Sequence, residues 1–346
     1  MTTVSVVIPC YNYGHYLEDT ITSVLDEQKG VDVRVLIIDD ASPDGSAEVA
    51  KKIAARDSRV EVIAHATNKG HIATYNEGLL EWADGDYTVL ISADDRFTPG
   101  ALGRARDLLD ARPDVGFVYG HPLWFKNGAP LPKARTEPQG WSVWPGHWWL
   151  ERRFHSIHNL ISTQTVVVRT SLQRRVGGYD PQLPHAGDME MWMRLAANAD
   201  VGYLRGVDQA YYRIHGQNMY MSYNPLMDLS QRRLAYQTVL DRYGGELPDA
   251  ERLSALVHRK LGREALWFAA RAYDRRRTPG TPIDDLVAFA FDCWPEVSRL
   301  PLYSTLRLRR RIGPRVMPYL QPFVLSAFVH EAVLWRRRQS WRLRGC

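Results

Sequence analysis

The chain has 346 residues, of which 45 % are hydrophobic and 24 % charged, with a net charge of +5. These proportions describe a globular protein long enough for one large domain and a substantial appendage, and they exclude low-complexity disorder. The charge is uneven: Pro301 to Cys346 holds ten arginines and a single acid, Glu331, so the first 300 residues carry −4 and a nucleic-acid face across them is disfavoured.

Three cysteines, Cys10, Cys293 and Cys346, are too few and too scattered for a disulfide framework or a zinc cluster. The N-terminus enters a strand-like pattern directly, with no basic leader, and no run approaches the roughly 20 apolar residues of a spanning helix. The expected setting is the cytoplasm.

Along the chain, short β-branched runs alternate with helical stretches. "VSVVIP" (4–9) precedes an amphipathic segment from about His15 to Gln28, and "VRVLIID" (33–39) leads to a helix from about Ser46 to Arg56. "VEVIAH" (60–65) leads to a helix around Ala73 to Ala83, and "YTVLIS" (87–92) to one after Pro99. Near-continuous apolar strands separated by helices indicate an α/β fold with a mostly parallel sheet covered on both faces. The middle, about 116–225, mixes strand-like runs ("VGFVYG", "TQTVVVR", "VGYL") with one strong helix signal, "GDMEMWMRLAANA". Beyond Pro225 the pattern turns helical and Arg-rich. The expected division is 1–225, with halves 1–115 and 116–225, and a helical region 226–346.

Parallel sheets bind ligands at the carboxyl ends of their strands, and polar residues cluster there. Tyr11 and Asn12 follow the first strand, Asp39 and Asp40 the second, Asp94 and Asp95 the fourth. Adjacent carboxylates repel, and both lose hydration if enclosed. A single strand-end aspartate usually caps a helix or fixes a turn. Two pairs on strand ends of one sheet suit a divalent cation on a diphosphate instead, because Mg2+ and Mn2+ take carboxylate and phosphate oxygens.

The segments "VSVVIPCYNYGHYLEDTITSVLDEQ", "VLIIDDASPDGS", "NKGHIATYNEGL" and "LISADD" resemble, in order and spacing, the nucleotide-binding half of family 2 glycosyltransferases of the GT-A fold. "VGGYDPQLPHAGDMEMWMRLA" and "YYRIHGQNMYMS" are similar to that family's acceptor half, so the resemblance covers roughly residues 3–222. It implies inverting transfer of a sugar from a nucleotide-diphosphate donor to a hydroxyl of a glycan or lipid-linked acceptor. It places Tyr11 near the nucleobase, with Pro9 and Asn12 in the same loop, and makes Asp40 the base-reading carboxylate. Asn68, Gly70 and Asn76 fall near the donor, Asp94 near the ribose, and Asp95 on Mn2+ or Mg2+. Ser92 stands where a fuller motif carries another acid. The family's "ED" pair falls on Gly187 and Asp188, so the Glu is absent and Asp188 is the implied general base, with Glu190 as runner-up. His215 is a candidate for the metal and Arg213 for a phosphate.

Two further segments stay open. "GWSVWPGHWWLERRF" (140–154) carries four tryptophans that suit either an acceptor wall or core packing. The tail "PFVLSAFVHEAVLWRRRQSWRLRG" suits either a helix on anionic membrane at its inner face, with Trp335 and Trp341 at headgroup depth, or a packed helix with a solvated basic end. Competing readings are a sugar-1-phosphate nucleotidyltransferase, although "PCYNYGHY" lacks the Gly- and Lys-rich phosphate loop, and a non-catalytic carbohydrate-binding protein.

Overall fold

The structure, a computed structural model, describes residues 1–274, 281–320, 332, 335, 336 and 339–346. The chain divides into two units. The first comprises Met1–Leu150, Leu160–Asn218 and Arg342–Cys346; the second comprises Glu151–Asn159 and Met219–Trp341.

In the first unit, β1 (Thr3–Cys10), α1 (Gly14–Leu25), β2 (Asp32–Asp39), α2 (Ser46–Ala54), β3 (Val60–Ala64), α3 (His71–Asn76) and β4 (Tyr87–Leu90) alternate, with a π-helical turn at Glu77–Trp82. The four strands are parallel in the order β3-β2-β1-β4, and Val4, Val6, Ile8, Val35, Ile37 and Val89 are fully buried because helices cover the sheet. Helix α1 buries Leu17, Ile21 and Val24, one apolar stripe at helical spacing. Then come β5 (Arg96–Phe97), α4 (Ala101–Ala111), β6 (Val115–Lys126), β7 (Trp141–Trp144), α5 (Gly146–His155, of which only the part up to Leu150 belongs to this unit), β8 (Val167–Arg169), α6 (Thr170–Val176), α7 (Gly187–Ala196) and β9 (Asp200–Ile214). Strand β8 runs antiparallel to β4 and β6, β6 and β9 are parallel, and β5 and β7 pair antiparallel with β9.

The register decides where the polar strand ends meet. Cys10 pairs with Asp39 and Asp39 with Ala64, so the carboxyl ends of β1, β2 and β3 are level. Val7 pairs with Leu90, and the Ile91 N–H donates to Val7 O, so in this register Ala93 is level with Cys10 and Asp94 and Asp95 follow the end of β1.

The tryptophan-rich segment divides. Trp149 is fully buried between Phe117 and Tyr119, with its Nε1–H donating to the Tyr119 hydroxyl at 3.0 Å. Trp141 and Trp148 are exposed, yet Trp141 pairs with Leu204, nine residues before Arg213 on β9. At about 3.3 Å per residue that is roughly 30 Å along the strand from Arg213. Core packing therefore accounts for Trp149, and the others flank the far end of β9.

The second unit holds α8 (Pro225–Tyr243), α9 (Ala250–Asp274), α10 (Ile283–Cys293) and α11 (Pro301–Ile312). Asn224 caps α8 by accepting from Met227 N–H at 2.9 Å. Buried Arg232 is neutralised by Asp228 and Glu264, and buried Arg309 by Asp274.

Most of the apolar tail, 322–334, lies outside the described residues. Trp335 is exposed, whereas Trp341 is buried in the second unit with the Arg153 guanidinium 5.3 Å from its ring centre. The membrane placement of Trp341 is thus corrected, because its indole has a protein partner. The last five residues return to the sheet of the first unit. Tyr203 donates to Arg342 O at 2.8 Å and Tyr119 donates to Gly345 O. Gly345 lies so close to the Tyr203 ring that a Cβ there would fall 2.2 Å from Cγ. Among the described residues, no helix is long and apolar enough to cross a membrane.

The irregular β6–β9 register near His121 brings together a buried polar cluster. Asp208 accepts from His121 Nδ1 at 3.0 Å and from Arg135 N and Nε at 2.9 and 3.0 Å. Burial alone would raise the Asp208 carboxyl, but His121 and Arg135 outweigh it and hold it far below the usual range. An acid lowered by folding stabilises the fold above its unfolded pKa of about 4, and this contribution disappears as pH falls through the lower folded value. Asp208→Asn is therefore expected to cost about 1–3 kcal/mol at pH 7. Chemical denaturation at falling pH should show the gap between variant and wild type narrowing only below about pH 4.

Candidate active site

The end of β1 and the end of β2 form the first wall. Asn12 and Ala41 both adopt left-handed backbone conformations, with φ of 63° and 60°. A non-glycine residue there costs roughly 1 kcal/mol or more, and such strain gathers at binding sites. The Asn12 N–H donates to Ser42 Oγ at 2.9 Å, which turns the two loops against each other. Tyr11 is 47 % exposed at the strand end, so its ring is open to a stacking partner. Pro9 sits within β1, opposite Ile38.

The two carboxylates after β2 have different environments. Asp40 accepts from His65 Nδ1 at 2.7 Å, Lys69 N at 2.8 Å and Gly70 N at 2.9 Å. Burial would raise its carboxyl, but the His65 bond and the two backbone bonds prevail and hold it below the usual range. Asn68 completes this loop, donating from Nδ2 to Asp40 O at 3.1 Å and accepting from Gly70 N–H at 3.0 Å. Asp39 accepts from Ser42 N–H through Oδ2 at 3.1 Å, while its Oδ1 is buried with no hydrogen-bond partner in the protein, as is Asn12 Oδ1. Acceptors left this way invite a donor from a ligand. The resemblance implies Asp40 as the base contact, and in the structure it is Asp39 that keeps a buried oxygen without a protein partner.

The second wall is the Asp94–Asp95 turn, 6 % and 4 % exposed. Thr20 Oγ1 holds it from α1, donating to Ala93 O and Asp95 O at 2.6 and 2.9 Å. From β9, the Arg213 N–H donates to Asp95 Oδ1 at 2.9 Å and Arg213 Nε to Asp94 O at 2.7 Å. Burial, and then the neighbouring Asp94 charge, push the Asp95 carboxyl well above the usual range. The Arg213 guanidinium lies over Tyr16 and Phe125 and pairs with Asp19, which also pairs with Arg96. That leaves Arg213 a buried brace for the turn rather than a free phosphate donor.

His215 Nε2 is 2.9 Å from Asp94 Oδ2, and its Nδ1 accepts the Gln217 N–H at 3.2 Å. An accepting Nδ1 puts the proton on Nε2, which then donates to Asp94. His215 is used here to orient Asp94, stacked on Tyr16 and edge-on to Tyr13. Among the described residues, no group of three or more His, Cys, Asp or Glu could hold a metal ion. The pair nevertheless suits one: two buried, adjoining carboxylates lack a full counter-charge, and a hard cation shared with phosphate oxygens needs only one or two protein ligands.

The third wall is the start of α7. Asp188 is its second residue, partly buried, with Oδ1 accepting the Met189 N–H at 2.7 Å. The N-terminal turn of a helix favours negative charge at this position. Glu190 is fully buried and paired with Arg194 at 2.8 Å, and Arg194 also donates to Val176 O and Gly178 O. Glu190 is thereby committed to the interior and loses its place as an alternative base. Asn76, expected at the donor, has both ends of its amide on the Tyr179 backbone.

Residues 5–174 match the profile of Glycosyl transferase family 2. TuaG of Bacillus subtilis (strain 168), named for teichuronic acid biosynthesis, is 32 % identical over 136 residues, 39 % of this chain and 53 % of that protein. The chain thus spans about half the length of this relative. S. aureus TarS 1–349 in complex with UDP-GlcNAc aligns over 94 % of this chain and 92 % of its own, with a TM-score of 0.61 at 18 % identity. Mannosyltransferase PcManGT from Pyrobaculum calidifontis, in complex with GDP-Man and Mn2+, aligns over 94 % and 86 % with a TM-score of 0.56 at 16 % identity. At such identities these likenesses establish the fold.

A carboxyl raised by folding costs stability once pH passes its unfolded value, and neutralising it returns that stability. Without ligands, Asp95→Asn should therefore melt no lower than wild type, gaining roughly 2–4 °C for each kcal/mol of repulsion relieved. The same substitution should abolish any melting shift produced by Mn2+ together with a nucleoside diphosphate. Differential scanning calorimetry with and without both additions checks the two halves separately.

Proposed function

We propose that the chain is a family 2 glycosyltransferase that transfers a sugar with inversion, a reading supported by the family profile over residues 5–174 and by the GT-A fold shared with the solved neighbours. The donor is a nucleotide-diphosphate sugar, and the acceptor is a hydroxyl of a glycan or of a lipid-linked glycan. The observation that carries this reading is the buried Asp94–Asp95 pair beside strand ends whose acceptors Asp39 Oδ1 and Asn12 Oδ1 lack protein partners.

The nucleoside lies over the ends of β1 and β2, with Tyr11 stacking on the base and Asp39 and Asn12 accepting its N–H groups. Asp40, with Asn68 and Gly70, shapes the loop that borders it. Asp95, with Asp94 oriented by His215, would hold Mn2+ or Mg2+. A cation bound there supplies positive charge to the diphosphate as it leaves. Asp188 accepts the proton of the acceptor hydroxyl while that oxygen forms its bond to the anomeric carbon. The bond from that carbon to the diphosphate oxygen breaks with its electron pair, so the nucleoside diphosphate departs on the opposite face and the configuration inverts. No covalent sugar–enzyme bond is needed. Among the described residues, contact with an anionic membrane would draw on the exposed Arg307, Arg311 and Arg315 with Leu308, Val316 and Trp335 of the second unit.

Asp188→Asn keeps the acceptor for the Met189 N–H but cannot take a proton. Its turnover should fall about 10²- to 10⁴-fold, with nucleoside-diphosphate affinity unchanged by calorimetry. NMR of the wild-type product should show the anomeric configuration opposite to the donor's. Near-normal turnover or retained configuration removes Asp188 from the mechanism. Excess EDTA should stop transfer and added Mn2+ or Mg2+ restore it; full activity in the chelator would contradict the role given to Asp95.

A further inference from the structure

Helix α3 is tied both to the first wall and to the segment that leads into the third. At its start, Asp40 fixes Lys69 N and Gly70 N. His65 spans from Asp40 to Glu77, with its two ring nitrogens 2.7 and 2.9 Å from the carboxylates, and Lys69 Nζ also reaches Glu77 at 2.9 Å. These bonds anchor both ends of α3 to the nucleotide side.

From that base α3 grips the segment leading to Asp188. His71 Nε2 lies 2.9 Å from Pro184 O and, facing a carbonyl, carries the proton. Asn76 Nδ2 donates to Tyr179 O at 2.9 Å while its Oδ1 accepts the Tyr179 N–H at 2.6 Å, the pairing a neighbouring β-strand would make. The grip is close-fitting: a Cβ at Gly178 would fall 2.3 Å from Asn76 Oδ1. Tyr75 meets the Tyr179 ring edge-on at 5.5 Å. Residues 177–186 form no helix or strand, so these contacts, with Arg194 behind them, fix where α7 begins.

We propose that Asn76 and His71 are positioning residues that set the Asp188 carboxylate over the donor. This rests on the reading of Asp188 as the base. It assigns Asn76 to the acceptor wall rather than to the donor. Misplacing a catalytic group by about 1 Å can cost on the order of 100-fold in rate without changing substrate affinity.

The test uses the full chain, Mn2+, and UDP-GlcNAc, GDP-mannose and dTDP-glucose as probes, following sugar release to water and binding of UDP, GDP and dTDP. Asn76→Ala and His71→Leu should each lower kcat by at least about 10-fold while nucleoside-diphosphate affinity stays within about threefold. His71→Gln, whose amide can donate to Pro184 O, should recover most of the loss. Hydrogen exchange at the Tyr179 amide should quicken in Asn76→Ala. If that variant does not fold, the His71 pair carries the test alone. Wild-type kcat in both variants, or affinity falling in step with kcat, would overturn the inference. If wild type turns over no probe, or Asp188→Asn matches wild type, the functional reading fails first and the inference with it.

Discussion

Consecutive carboxylates repel when they share an enclosed site, and the first unit is organised around containing that repulsion at Asp94 and Asp95. Each neighbouring element contributes a fixed donor. Thr20 on α1 ties the turn's carbonyls, the main chain of Arg213 on β9 meets Asp95, and His215 just beyond β9 meets Asp94. Arg213 is itself locked between Tyr16 and Phe125 and neutralised by Asp19. None of these groups cancels both charges. In the proposed function a cation would arrive with its phosphates, and for that a set of only two carboxylates is adequate.

The second consequence is a division of labour among residues that look alike in sequence. Of two strand-end aspartates, Asp40 is consumed in shaping the 68–70 loop, and Asp39 retains an unpaired buried oxygen. Of two acids in the first turn of α7, Glu190 is sealed against Arg194, and Asp188 stays at the partly buried helix start. In the first pair Asp39 keeps a buried oxygen without a protein partner, and in the second Asp188 keeps partial exposure where Glu190 has none; the proposed function draws on these two differences. Gly187 lies against Tyr179, where a Cβ would come within 3.3 Å of the ring, so the segment before Asp188 packs tightly.

The alternation of apolar runs and helices made β1 to β4 legible, because strands buried on both faces must be almost wholly apolar. The strand-end aspartates were legible for the complementary reason that charge has no place inside such a strand. Legibility stopped where long-range partners decide. Nothing local in "NKGHIATYNEGL" says that Asn76 pairs with Tyr179, 103 residues away. The two-residue β5 is too short to carry a period, and β7 is defined only by its pairing with β9. Trp341 reads as an interfacial aromatic until Arg153 is seen against it, and residues 342–346 read as a solvated end until Tyr119 and Tyr203 bind their carbonyls.

The account depends most on the Asp94–Asp95 pair receiving a cation with the donor diphosphate. Crystals grown with Mn2+ and UDP-GlcNAc or GDP-mannose, measured above the manganese absorption edge, test this directly. The account predicts an anomalous peak within bonding distance of an Asp95 carboxylate oxygen, adjoining density for the diphosphate. A nucleotide bound over β1 and β2 with no manganese at the pair, or manganese held elsewhere, would contradict it.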